Sequence, residues 1–250
     1  NMTDNLPLNQ RQILGYWLAR MTLFWIFVGI ILLGALGALA YWLIVITEGV
    51  YLGRRAVVWM YDLTAHKYDG IKQFEVDAER LFVVRPFLHH LPRHPAPLIL
   101  DVAAGTGRVP YFLLEEPTFN GRVVALEPSR KMRAVAVPKL RPYGSRAALV
   151  GGTAVPLPFA AHTFHGVTCL EALEFFPSDE AALREMARVL QPGGSLMVTR
   201  RRGWEAQTFV GRYRDTEQFE ALLDSLGFTD IKTLPWQLDY DQVFARKSGK

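Results

Sequence analysis

The longest hydrophobic run of the chain lies near its amino end. Residues 21–47 include no charged side chain, and nearly all of them are apolar. About 20 such residues suffice for a helix to cross the hydrocarbon core of a bilayer. Tyr16 and Trp17 flank one end and Tyr41 and Trp42 the other, as interfacial aromatic residues do. Because the run is apolar on every face and has no small-residue cleavage site, the pattern predicts one transmembrane helix rather than a signal peptide.

Shorter apolar runs, of strand length, follow in the remainder of the chain. Residues 98–108 (LILDVAAGTGR) predict a buried strand that ends in an acid and breaks through a Gly-Thr-Gly turn into a helix. Residues 123–127 (VVALE) predict a neighbouring strand that also ends in an acid. Strands that alternate with helices are typical of an α/β fold with a parallel sheet.

Candidate ligand-binding residues lie where these two strands end. Open α/β sheets bind ligands at the carboxyl ends of their strands, and the pattern places Asp101, Glu127 and the turn there together. Gly105 and Gly107 allow the backbone to approach a ligand closely and to adopt positive φ. Glu127 is positioned to accept hydrogen bonds from two vicinal ribose hydroxyls. The sequence therefore predicts a nucleoside-binding site.

The residues that the motif lacks narrow the choice of nucleoside ligand. Pro110 stands where a dinucleotide fingerprint has its third glycine, and no Gly-Lys-Ser/Thr follows as in a phosphate-binding loop. Asp101 precedes the glycines and would repel a pyrophosphate, whereas it suits a ligand with positive charge. S-adenosylmethionine, with its sulfonium and α-ammonium groups, fits this description.

At this point the chain resembles the class I S-adenosylmethionine-dependent methyltransferases, in particular the group that acts on quinones and other small molecules. Further segments match that family in order and spacing: residues 151–159 (GGTAVPLPF), 163–174 (TFHGVTCLEALE), 182–198 (ALREMARVLQPGGSLMV) and 222–228 (LLDSLGF). The resemblance implies a Rossmann-like, seven-stranded, mostly parallel sheet with helices on both faces. In this chain one transmembrane helix precedes that fold.

The resemblance also implies S-adenosylmethionine as the cofactor. Carried over position by position, the family's cofactor site falls on Asp101, Ala103, Ala104, Gly105, Thr106, Gly107, Glu127, Gly152, Thr153 and Leu170. Ala103 stands where the family usually has glycine, and Gly152 where it usually has an acid that reaches the adenine amino group. Gly152 therefore predicts weaker cofactor binding than is usual in the family.

The catalytic residue is left unassigned by the sequence. Phe175 stands where many relatives have a histidine that is sometimes proposed as a base. Glu171 and Glu174, near the end of the predicted fourth strand, are candidate bases, and His162 and His165 are less well placed. The histidines show no compact metal-ligand spacing, so no metal site is expected.

The chain divides, on these patterns, into a tail at residues 1–20, the transmembrane helix at 21–47, a helical connector or lid at 48–93, and the methyltransferase domain at 94–250. A slight excess of basic residues after the span predicts a cytoplasmic methyltransferase domain on a single-pass cell-membrane protein. The single cysteine provides no disulfide framework, which agrees with that compartment.

Basic residues are concentrated in one place despite a formal net charge of only +4. Residues 200–204 (RRRGW) follow the predicted fifth strand, with Arg212 and Arg214 close behind. This cluster suits anionic lipid headgroups or an anionic substrate, and a solvated loop is the equal alternative. The chain has no extended basic stripe or aromatic platform, so no nucleic-acid partner is expected.

Alternative functions remain open at this stage. The first is a membrane-anchored methyltransferase acting on a hydrophobic small molecule such as a quinone, isoprenoid, pigment or lipid precursor. The second is a methyltransferase-like accessory subunit with weak or lost catalysis, held in a membrane-protein complex through the small residues Gly34 and Ala38 of the span. The third is a methyltransferase that modifies a neighbouring membrane protein.

Overall fold

The computed structural model describes residues 8–249. Contacts divide the chain into two compact units, with the boundary between Ile46 and Thr47. The first unit is one long helix, α1 (Leu8–Tyr41), continued by a π-helical turn at Trp42–Ile46. The helix thus begins well before residue 21, inside the segment predicted as a tail.

Helix α1 exposes its apolar side chains, as in Trp25 at 63% and Leu33 at 71% exposure. The stretch Gln12–Ile46 is long and apolar enough to cross a membrane. Among residues 8–249 it is the single candidate span, by length and composition.

The second unit is built on a seven-stranded sheet of order β3-β2-β1-β4-β5-β7-β6. All neighbouring strands from β3 to β5 are parallel, and β7 runs antiparallel to both of its neighbours. This confirms the predicted Rossmann-like, mostly parallel sheet. The strands are β1 (Leu98–Val102), β2 (Arg122–Leu126), β3 (Ala147–Val150), β4 (Phe164–Cys169), β5 (Leu190–Arg201), β6 (Phe228–Pro235) and β7 (Tyr240–Lys247).

Helices precede the sheet and connect its strands. Short 3-10 turns lie at Val50–Leu52, Ala65–Lys67, Arg141–Arg146 and Leu173–Phe175, and a π-helical turn lies at Arg80–Val84. The α-helices of this unit are α2 (Arg54–Thr64), α3 (Tyr68–Lys72), α4 (Val76–Glu79), α5 (Arg85–His90), α6 (Arg108–Glu115), α7 (Arg130–Leu140), α8 (Asp179–Val189), α9 (Gly203–Gln207) and α10 (Thr216–Ser225).

The core lies on both faces of the sheet. Successive residues of a strand point to opposite faces, and in β1 Ile99 and Leu100 are both fully buried, each in a different hydrophobic cluster. One cluster packs α8 and α10 against the sheet, and the other packs α5, α6 and α7. Because the parallel strands are covered on both sides, the carboxyl edge of the sheet is where side chains and backbone remain available to a ligand.

Candidate active site

A cleft of about 950 Å³, which includes its open mouth, lies at the carboxyl edge of the sheet. A narrower recess of about 390 Å³ adjoins it, and both are lined by Tyr68, Ala103, Gly105, Leu170 and Glu171. Together they form one elongated space over the ends of β1, β2 and β4. Pockets of this size hold small-molecule ligands and cofactors.

The predicted cofactor residues are largely brought together around this space. The cleft is lined by Ala103, Gly105, Glu127, Gly152, Thr153 and Leu170. The recess is lined by Asp101, Ala103, Ala104, Gly105, Thr106 and Leu170. Gly107 lies behind the turn, where an added Cβ would come within 3.1 Å of the Ala136 Cβ, so helix α7 requires a glycine there.

The turn after β1 is held in a backbone conformation that favours glycine. Gly105 and Gly107 have φ values of 55° and 80°, and Ala103 adopts φ 60° although it carries a Cβ. The left-handed region costs an L-residue roughly 1–2 kcal/mol, which explains the glycine expected at this position in the family. Alanine at position 103 therefore carries a conformational cost.

Glu127 follows β2 and is hydrogen-bonded to the glycine turn that follows the neighbouring strand β1. Its Oε2 accepts a hydrogen bond from the Gly105 amide and its Oε1 accepts one from the Ser129 amide, each at 2.8 Å. Burial raises the pKa of Glu127, and the two amide donors act in the opposite direction. Each carboxylate oxygen has a second lone pair, so the fixed side chain can still accept hydrogen bonds from a ligand.

Asp101 ends β1 and is only 3% exposed. The Thr168 hydroxyl donates to its Oδ1 at 2.6 Å. Burial, reinforced by the nearby Glu127, raises the pKa of Asp101 to about 7, against the opposing effects of Thr168 and Arg108. The charged form of a buried carboxyl whose pKa is raised is stabilised by a ligand that brings positive charge.

Thr106 and Gly152 are constrained by their neighbours. The Thr106 hydroxyl donates to Asp69 Oδ1 at 2.5 Å, and Asp69 also pairs with Lys139, so helix α3 is tied to the glycine turn. At Gly152 an added Cβ would stand 2.7 Å from Leu126 Cδ1. Leu126 is itself buried, so an acid at position 152 requires the core to shift.

Helix α2 forms one wall of the cleft, through residues that the sequence did not single out. Its lining residues Arg54, Val57, Val58 and Tyr61 follow the i, i+3, i+4, i+7 spacing of one helix face. The wall continues through Phe175, whose ring centroid lies 6.0 Å from that of Tyr61 in an edge-on arrangement. The helical period of α2 is the signal that identifies this wall.

The hydroxyl of Tyr61 is hydrogen-bonded to a residue near the start of the second unit. It donates to Glu48 Oε2 at 2.9 Å. Burial first, and then the charge of Glu48, raises the pKa of Tyr61 well above its ordinary value. The phenol therefore stays protonated, and its ring faces the aromatic wall together with Tyr68, 6.0 Å away between centroids.

Glu171 is not suited to act as a base. Lys72 Nζ donates to its Oε2 and Arg108 to its Oε1, both at 2.6 Å. Burial alone would raise the pKa of Glu171, yet Arg108 and Lys72 outweigh burial and lower it. Arg108 also makes a bidentate pair with Glu79, so this network joins the lid helices to the turn after β4.

The other candidate bases lie away from the cleft. Glu174 is buried and accepts a hydrogen bond from the Tyr240 hydroxyl, on the far side of the wall. His165 lies at the amino end of β4, where its Nδ1 accepts from the Leu98 amide at 3.0 Å. His162 precedes that strand and contacts Lys247. Both histidines therefore occupy the opposite edge of the sheet.

The basic residues after β5 are engaged in internal ion pairs and hydrogen bonds. Arg200 is 8% exposed and pairs with Asp241, which also receives Arg202 at 3.1 Å. Arg201 pairs with Glu205 at 3.0 Å. The remaining members follow the same rule, since Arg212 donates to backbone carbonyls and Arg214 pairs with Asp179. Trp204, by contrast, is 69% exposed.

Comparison with known proteins places this geometry in a family. Residues 99–194 match a family model described as a methyltransferase domain. The demethylmenaquinone methyltransferase of Symbiobacterium thermophilum is 32% identical over 137 residues, which cover 54% of this chain and 55% of that protein. The ubiquinone/menaquinone biosynthesis C-methyltransferase UbiE of Rhizobium meliloti is 32% identical over 126 residues, 50% of this chain and 48% of that protein. The chain thus spans about half the length of the curated relatives it matches.

Solved structures agree at the level of the fold. The [4+2]-cyclase SpnF superposes with a TM-score of 0.63 at 18% identity, covering 78% of this chain and 96% of that one. Phosphoethanolamine N-methyltransferase 2 of Haemonchus contortus, solved in complex with S-adenosyl-L-methionine, gives a TM-score of 0.56 at 16% identity, with coverages of 65% and 51%. The sheet order and the glycine turn define a Rossmann-like domain of the methyltransferase type. The family model identifies residues 99–194 as a methyltransferase domain, which agrees with this fold.

Proposed function

We propose that this chain is a membrane-anchored methyltransferase that transfers a methyl group from S-adenosylmethionine to a hydrophobic small molecule of the quinone-precursor type. The observation that carries the proposal is the composite cleft. Polar cofactor-type groups, Glu127 and Asp101, stand at the strand ends, and an apolar and aromatic wall from α2 and Phe175 faces them. A fold alone does not set a reaction, and a cyclase shares this one.

The residues of the cleft suit the cofactor's functional groups. Glu127, fixed by two amides, would accept hydrogen bonds from the ribose hydroxyls, while Gly152, Thr153 and Leu170 would border the base. The buried carboxyl of Asp101, in the adjoining recess, would hold the α-ammonium group. The remaining members of the proposed cofactor site form the turn that borders both ends: Ala103, Ala104, Gly105, Thr106 and Gly107.

The bound cofactor supplies a methyl group on a sulfonium that is already a good leaving group. The protein's contribution is then to hold the acceptor in line and exclude water, which is worth ~7–11 kcal/mol in favourable cases. The aromatic wall of Tyr61, Tyr68 and Phe175 is suited to a flat, conjugated ring. A proton leaves the acceptor in the overall reaction, and we assign no residue of the chain as its base.

Membrane attachment fits the same acceptor class. The proposed single span lets a lipid-soluble substrate and the enzyme meet in two dimensions. The excess of basic residues beyond the span supports a cytoplasmic methyltransferase domain. The relatives in Symbiobacterium thermophilum and Rhizobium meliloti are named for quinone methylation, which supports the choice of a quinone precursor over other lipids.

The test is methyl transfer by the full chain reconstituted in liposomes. Radiolabelled S-adenosylmethionine is supplied with a demethylated menaquinone precursor, or with phosphoethanolamine as a polar comparison acceptor. We expect label in the extracted quinone and none in the polar acceptor. Cofactor binding without transfer to any quinone would refute the acceptor class, and absence of cofactor binding would favour the accessory-subunit alternative.

A further inference from the structure

Helix α2 has a second face that points away from the cleft. Trp59 is 61% exposed and Leu63 is 49% exposed, and both are four residues apart on the same side as Arg55. The opposite face, described above, lines the cleft. Both faces of the helix therefore carry apolar residues, and only the face toward the cleft is covered.

A segment remote in sequence brings a further exposed apolar side chain to the start of α2. The Tyr51 hydroxyl donates to the Val210 carbonyl at 2.8 Å, which fixes the loop after α9 beside the start of α2. Beneath them Val57 and Phe209 share one hydrophobic cluster. Leu52 and Val210 remain 55% and 67% exposed. We call Leu52, Trp59, Leu63 and Val210 the outer α2 surface.

The chain itself limits what can cover this surface. Residues 47–53 join the apolar segment Gln12–Ile46 to α2. Seven residues reach at most about 25 Å when fully extended, and Val50–Leu52 forms a 3-10 turn that shortens them. The start of α2 therefore lies no more than about 25 Å from the end of any membrane span formed by that segment.

The composition of the surface fits lipid headgroups. Arg55 is exposed at the start of α2, one turn before Trp59 on the same side of the helix, and Arg54 is exposed on the face toward the cleft. Basic residues beside a span attract anionic lipids, and tryptophan is enriched at the membrane interface. The arginines after β5 are paired internally and do not compete for this role.

We propose that the outer α2 surface docks on the bilayer that holds the anchor, so that α2 lies between the lipid surface and the cleft. This inference rests on the membrane anchoring included in the proposed function. Val58 and Tyr61 line the cleft from the same helix that carries Trp59, so docking brings the cleft within the width of one helix of a lipid-soluble acceptor.

The test uses the full chain in liposomes of phosphatidylcholine and phosphatidylglycerol. Single cysteines at Trp59 or Val210 carry an environment-sensitive fluorophore, and doxyl-labelled lipid is the quencher. The matched control is Val137→Cys on α7, which replaces a side chain that is 49% exposed. Cys169 is fully buried and stays unlabelled in the folded chain, as the unsubstituted protein verifies.

We expect several-fold stronger lipid quenching at positions 59 and 210 than at 137. Equal, weak quenching at all three positions in a chain that resists alkaline extraction would overturn docking while leaving the anchor intact. Release of the chain by alkaline extraction would instead overturn the anchoring on which the inference rests. Disulfide cross-linking between two copies at position 59, without quenching, would identify a second copy of the chain as the occupant and refute the bilayer.

A kinetic arm separates docking from cofactor binding. The double variant Trp59→Ser/Val210→Ser removes exposed side chains that do not line the cleft. We expect a several-fold lower kcat/KM for a long-chain, bilayer-embedded acceptor, with unchanged affinity for S-adenosylmethionine and unchanged turnover of a short-chain, water-soluble analogue. Equal losses for both acceptors would contradict the inference, because they would place the effect in the cleft.

Discussion

Two carboxylates at the carboxyl edge of the sheet have different environments and therefore different tasks. Glu127 accepts two backbone amides and is held in one orientation. Asp101 has the Thr168 hydroxyl as its partner and a pKa raised to about 7. Both stand over strand ends that the apolar runs in the sequence located. At the residue scale we therefore propose that Glu127 binds the ribose hydroxyls of the cofactor and that Asp101 binds its positively charged ammonium group.

The raised pKa of Asp101 predicts a pH dependence of cofactor binding. The ammonium group of the cofactor favours the carboxylate, so binding lowers this pKa and releases a proton from the fraction of Asp101 that is protonated. Affinity should fall as pH decreases through about 7, where the free protein becomes protonated at Asp101. Calorimetry at pH 6 and pH 8, in buffers of different ionisation enthalpy, measures both the affinity and the proton release.

The matched control for this prediction is Asp101→Asn, which keeps the size of the side chain and removes its titration. Its affinity should be lower at pH 8 and should change little between the two pH values. A wild-type affinity that is the same at pH 6 and pH 8, with no proton release, would exclude contact between Asp101 and the ammonium group.

At the scale of elements, helices α3 and α4 of the lid are tied to the sheet by a network of ion pairs. Arg108 on α6 pairs with Glu79 of α4, and with Glu171 after β4, which also binds Lys72 of α3. Glu171 has a positive φ of 52°, and its two ion pairs hold that backbone conformation. This network borders the recess that contains Asp101.

Removing the charge of Glu171 should loosen the lid. Glu171→Gln leaves Arg108 with Glu79 alone and Lys72 without its partner. Loss of one member of a buried pair costs about 3–5 kcal/mol when no alternative partner exists, and the remaining Glu79 pair places this variant at the lower end. Thermal unfolding and hydrogen exchange of α3 and α4 measure the effect.

The comparison for that variant is Glu180→Gln, which breaks the exposed pair with Arg184 on α8. Exposed pairs contribute about 0–1 kcal/mol, so its stability should be close to that of the wild type. Similar losses in the two variants would mean that the network around Glu171 adds nothing beyond an ordinary surface pair.

The elements themselves were largely predictable, and the side-chain partners were not. Apolar runs ending in Asp101 and Glu127 located β1 and β2, because a buried parallel strand must be apolar along its length. The partner of Glu171 was hidden, since Lys72 is 99 residues away in the chain and no local pattern joins the two. For the same reason Arg200 and Arg202 resembled a free basic patch, although both pair with Asp241 on β7.

At the scale of the whole molecule, the chain combines an apolar helix with a domain whose cleft lies at the carboxyl edge of the sheet. Helix α2 connects these parts, because it begins a few residues after the candidate span and lines the cleft with Val57, Val58 and Tyr61. Its helical period was visible in the sequence, yet its function depends on Phe175 and Phe209, which only the fold brings beside it. The central claim is that this edge binds S-adenosylmethionine.

Titration calorimetry of the full chain in lipid nanodiscs with S-adenosylmethionine tests that claim most directly. The informative variant is Glu127→Gln, which removes the charge and keeps an acceptor oxygen for only one of the Gly105 and Ser129 amides, with Glu180→Gln as the control. Hydrogen bonds to a charged group contribute ~1.5–3 kcal/mol each, so loss of one should raise Kd about tenfold or more. The account predicts saturable binding by wild type and control and weakened binding by Glu127→Gln; no saturable binding by the folded wild type at millimolar cofactor would contradict it.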